Sequence, residues 1–187
     1  MQNLLARLYT DKDFRLLFLS EPQRIGKENN LSESEISQIS QILPQQLEFF
    51  SNSLIHKRLH EVEKLLPLTC KALNEDFARN FQEFSKTFLP HSIKKHLEDA
   101  VEFASFLTEK NIKPEYLADL IRFEQTRLLF NGYSKKIILR RFHYDIREIV
   151  RQLTNAAGEP LKQIPKRKTL AFWFLFGKNR KPLHFVW

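Results

Sequence analysis

At Asn131-Gly132 the hydrophobic period of this chain changes. Before that point apolar residues recur three and four apart, as they do on one face of a helix. After it they gather into short runs of β-branched and aromatic residues. The charge balance changes at the same place. Residues 1–131 carry 17 Lys+Arg against 19 Asp+Glu, whereas residues 132–187 carry 13 against 3, a net of +10. The pattern predicts an α+β chain, a mainly α-helical bundle followed by a small antiparallel sheet with one helix. Residues 1–131 form the helical body, with extra N-terminal helices over 1–44 and a helical domain over 45–131. Residues 132–187 form a small basic α+β module.

Composition narrows the function classes. With 187 residues, 42% of them hydrophobic and 28% charged, the chain suits a folded protein with one ordinary core and a small second one. A single cysteine excludes a disulfide framework and a cysteine-rich zinc site. Four glycines and no glycine-rich loop motif argue against phosphate cradling. No window reaches the roughly 18 apolar residues of a membrane span, so the expectation is a cytoplasmic protein with no membrane partner.

Punctuation in the body predicts its helices. Asp11 caps a segment through Leu19, and Pro22 marks a break. Ser32 with Glu35 fits a capping box opening a segment to about Ile42. Pro44 sits in the first turn of a long helix to about Lys64, and Pro67 starts a short one. Asn74 caps a helix to about Phe88, Ser92 caps another to about Lys110, and Pro114 starts the last, to about Phe130. Phe77, Phe81, Phe84 and Phe88 form one stripe, the ordinary signal of a core face and not of a ligand groove. Ile93, Leu97, Ala100, Ala104 and Leu107 form a second face, whose alanines admit a close neighbour.

Two charges interrupt apolar faces. Arg58 falls between Leu54, Val62 and Leu65, and Glu124 falls among Leu117, Leu120, Ile121 and Leu128. An unpaired buried charge is costly, so a buried Arg58–Glu124 pair is expected. The alternative is Glu124 as a general acid, but no His, Cys or second carboxylate shares its face. His56 and His60 have a metal-ligand spacing, yet they lie among charged residues with no Glu after the first, and read as surface side chains. Cys70, between Leu66 and Leu73, reads as a small core residue. No catalytic residue, metal ligand or cofactor site is predicted.

In the module, Lys136 to Tyr144 is a predicted strand, and Asp145 caps a helix over IREIVRQL. Thr169 to Phe176 is the strongest strand, joined through a turn to a third over Leu183–Trp187. The expected order places 169–176 between the other two, antiparallel. So apolar a strand is normally covered on both faces. The candidate binding residues are Arg140, Arg141, Lys166, Arg167, Lys178, Arg180 and Lys181, which suit either phosphate groups or an acidic peptide added to a sheet edge. A strand, a helix and a basic hairpin also outline a winged DNA-binding unit, and composition leaves both readings open. A solvated rim that keeps an apolar hairpin soluble is the third.

Residues 58–130 resemble the helical domain of a family long labelled DNA-binding, whose best-known members are partner subunits in methanobactin biosynthesis. The stretches that carry the resemblance are Glu63-Lys64-Leu65-Leu66-Pro67, Leu73-Asn74-Glu75-Asp76-Phe77, the run Asp99 to Leu107, and the run Tyr116 to Glu124. Asn74 stands where the family pattern often has Gly. The resemblance implies a helical domain followed by a small sheet domain, without catalytic residues or cofactors of its own. It implies two partners in ribosomal natural-product biosynthesis: a multinuclear iron enzyme of TIM-barrel type, and the acidic precursor peptide it modifies. A DNA-binding transcriptional regulator using the basic module is the alternative.

Overall fold

Side-chain caps and prolines set where many of the helices begin. The computed structural model describes residues 1–132, 137–155, 163–176 and 181–186. In order these form α1 (Gln2–Thr10), α2 (Lys12–Ser20), α3 (Pro22–Glu28), α4 (Glu33–Ser40), α5 (Pro44–Leu65), α6 (Pro67–Leu73), α7 (Glu75–Phe84), α8 (Lys95–Glu109) and α9 (Tyr116–Gly132). Then come β1 (Ile137–Phe142), α10 (Ile146–Asn155), β2 (Thr169–Phe176) and β3 (Lys181–Val186). This is the mainly helical α+β architecture expected. Asp11 caps α2 through the N–H of Phe14, Ser32 and Glu35 close a capping box on α4, and Pro44 opens α5.

The chain divides into two compact units, Met1–Leu59 with Ser85–Leu89, and His60–Phe84 with Pro90–Trp187. In the first, Leu4, Leu8, Phe14, Phe18, Ile25, Ile36, Ile39 and Leu47 make a continuous core. Gly26 of α3 lies so close to α4 that a Cβ there would collide with the Ile36 side chain. Within this unit Leu54 is 41% exposed and the half-buried Arg58 donates to the Phe88 carbonyl at 2.9 Å.

In the second unit α9 is packed by α6, α8, α10 and β1. The phenylalanine stripe is core as far as Phe84, where α7 ends, and Phe77, Phe81 and Phe84 all meet the ring of Phe103 on α8. Ala100 and Ala104 are fully buried, but Ile93 lies outside α8 and is fully exposed. Ser92 does not cap α8. Instead the carboxylate of Glu98 reaches back to the N–H groups of His91 and Ser92, and the Ser92 hydroxyl, with the Ser92 and His91 N–H groups, holds its pKa below the usual range. Asn74 adopts φ of 50° at the α6–α7 junction.

The expected boundary at 131/132 falls inside this second unit. Phe123 of α9 packs on Phe142 of β1 at 6.1 Å and on Trp173 of β2 at 5.6 Å, so one core joins the last body helix to the sheet. The sheet is antiparallel in the order β1-β2-β3, with Leu139 opposite Phe172 and Phe172 opposite Phe185. Residue 187, predicted to end the last strand, lies outside the described residues.

Candidate binding surface

One carboxylate on α9 ties down the turn after β1. Asp119 is 2% exposed, and its Oδ2 accepts the N–H groups of His143 at 2.5 Å and Tyr144 at 3.0 Å, at the β1–α10 turn. Asp145 caps α10 by accepting from the N–H groups of Arg147 and Glu148. Thr169, at the start of β2, donates its hydroxyl to the Tyr144 carbonyl. The turn between β1 and α10 is therefore tied to α9, and the start of β2 to that turn, by side chains that take up backbone groups.

Glu124 is held differently from the sequence expectation. Its carboxylate is fully buried and accepts the N–H groups of Leu68 at 3.1 Å and Thr69 at 2.7 Å, at the start of α6. Its cationic partner is Arg127, one turn along the same helix at 3.3 Å, in place of Arg58. The physical reason lies at Arg58. The stripe containing it opens to solvent at Leu54, so its half-buried guanidinium needs no buried carboxylate. Burial pushes the Glu124 pKa up, opposed by the two N–H groups and by Arg127. With both oxygens engaged, this carboxylate fastens two helices together.

Pleating gives the sheet two unlike faces. Phe142, Thr169, Ala171 and Trp173 are buried on the body side. On the other, Ile137 is 64% and Leu139 61% exposed, with Leu170 and Phe185 also exposed and Phe172 and Phe174 half-buried. Phe172 and Phe174 stack with centroids 5.1 Å apart, and Phe174 and Phe185 at 6.0 Å. Coverage of β2 on both faces, expected from its composition, is therefore found on one face among the described residues.

The predicted cations divide into two groups. Lys166 pairs with Glu115 at 3.3 Å, and Arg167 with Asp145 at 3.8 Å. Glu115 also accepts the Tyr144 hydroxyl, which with Lys166 lowers its pKa, while Glu115 raises that of Lys166. Arg140 and Arg141 are exposed on edge strand β1, and no ion pair engages them among the described residues. Lys178, Arg180 and the side chain of Lys181 lie outside the described residues.

His56 and His60 are exposed, the latter 3.4 Å from Glu63. Cys70 is partly buried, and burial raises its pKa. Among the described residues no three His, Cys, Asp or Glu side chains gather as a metal site, and no helix is long and apolar enough to cross a membrane. Sequence reasoning missed Asp119, although an acid inside the run Leu117-Ala118-Asp119-Leu120-Ile121 was a signal of the same kind as Glu124. In comparison with known proteins, the chain matches no family model and no curated relative.

Proposed function

We propose that this protein is a non-catalytic adaptor that captures an acidic peptide segment as an added strand on the outer edge of β1. The observation that carries the reading is the presence on that edge strand of two exposed guanidinium groups that no ion pair engages among the described residues. β1 bonds to β2 on one side only, and Arg140 and Arg141 stand on it without acidic partners among the described residues. Main-chain hydrogen bonds along such an edge supply affinity, and its flanking side chains supply selectivity. Lys166 and Arg167, which duplex binding would also recruit, are engaged with Glu115 and Asp145. The resemblance of residues 58–130 supplies the wider setting. There the helical region docks on a TIM-barrel iron enzyme in ribosomal natural-product biosynthesis, and the captured segment belongs to its precursor peptide.

Amide hydrogen exchange on the full chain tests this, with an acidic precursor-type peptide as probe. The expected result is slowed exchange along Ile137–Phe142 and at least tenfold weaker binding when Arg140 and Arg141 are both changed to Glu. Tight duplex DNA binding with a steep salt dependence, and no protection of β1 by peptide, would replace the adaptor with a DNA-binding regulator.

A further inference from the structure

We infer that the open face of the sheet seats an acidic amphipathic helix from a partner polypeptide. The inference rests on the reading of the module as a binder of acidic partners, but it assigns a surface that strand addition at β1 does not use. Ile137, Leu139, Leu170, Phe172, Phe174 and Phe185 form one apolar face across all three strands. A strand as continuously apolar as Thr169–Phe176 belongs between two layers, and the described helices supply a layer on one side only.

Shape and charge together select the occupant. Three strands spaced about 4.8 Å apart span about 10 Å, the width of one helix. Arg141, opposite Leu170, rises from the same face. Residues 132–187 carry 13 cations against three acids, an excess of 10, and two of those acids, Asp145 and Glu148, are already paired with arginines. A second copy of the chain would bring the same positive charge to the interface and be repelled. Single-stranded nucleic acid would need aromatic faces on which to stack. Here Phe172 stacks on Phe174 and Phe174 on Phe185, with interplanar angles of 30° and 13°, so the faces these rings turn to one another are already engaged.

The test uses the full chain and a synthetic helix of about 18 residues, long enough to cross the sheet. The helix carries leucines at i, i+3, i+4 and i+7 and Glu and Gln elsewhere, and its control replaces every Glu by Lys. Fluorescence anisotropy should show at least tenfold tighter binding of the Glu helix. Leu139→Ser and Phe185→Ser, both at exposed positions, should each weaken it tenfold or more, while Ile93→Glu leaves it unchanged. Equal binding of the two helices, no effect of the face variants, or no binding overturns the inference. So does preferential binding of oligothymidine or of phosphatidylserine vesicles that the same variants abolish. If the helix fails while an extended acidic peptide still protects Ile137–Phe142, only this inference falls. If the helix binds without that protection, only the edge-strand reading does.

Discussion

The carboxylate of Glu124 accepts the backbone N–H of Thr69 at 2.7 Å, across 55 positions of sequence. A helix start has N–H groups without intrahelical partners, and here a buried side chain from another helix supplies what a local cap would. Leu66, the residue at the N-cap position of α6, has no side-chain acceptor to offer.

Replacing that carboxylate should therefore be severe. Glu124→Ala leaves two N–H groups without an acceptor and removes the carboxylate beside Arg127, which keeps only the Leu65 carbonyl, and should cost about 3–5 kcal/mol. Arg58→Ala should cost about 1–3 kcal/mol, for a lost charge-assisted bond. Because Glu124 and Arg58 have separate partners, the double variant should be additive to within about 0.5 kcal/mol. Urea denaturation of the four proteins checks this, and a large coupling between positions 58 and 124 would contradict the assignment.

Glu148 provides a pH marker for α10. The Arg151 guanidinium, helped by the Gln152 amide, lowers its pKa to about 2. A carboxylate depressed on folding stabilises the native state above its unfolded pKa. That contribution is lost as pH falls from the ordinary glutamate range toward about 2. Carbon-detected NMR titration should find Glu148 still ionised at pH 3.5, and Arg151→Ala should return it toward the usual range.

Asn74 holds a backbone conformation that glycine adopts more easily. Its φ of 50° falls where a Cβ is strained, and its side chain is exposed. Relief of that strain outweighs the added freedom of the unfolded chain, so Asn74→Gly should raise stability by about 0.5–1 kcal/mol. Thermal unfolding measures it directly, and a lower midpoint would show that Asn74 contributes something the backbone alone does not.

Features legible in the sequence were mostly local. Asp11, the Ser32–Glu35 box, Pro44 and Asp145 act on residues within a turn of themselves, so their positions announced their roles. Strand order was legible too, because β2 alone is apolar enough to lie centrally. The partners of Asp119 and Glu124 were not legible. Both carboxylates capture backbone N–H groups, and every residue except proline carries one, so no side-chain pattern marks the recipient. Pairing Glu124 with Arg58 assumed that one charge must answer another. The open sheet face was hidden for a related reason, since alternation within β2 places similar apolar residues on both sides and composition does not say which side lacks a neighbour.

The packing of Phe123 against Phe142 and Trp173 changes what counts as a separable part of this protein. A fragment cut at Gly132, where charge and period both switch, would expose that aromatic cluster to water and deprive the β1–α10 turn of Asp119. Recombination or gene fusion at that seam would deliver a sheet without its floor. The smallest heritable piece that carries the basic surface intact includes α9, and the compositional border marks a change of charge and period within one core.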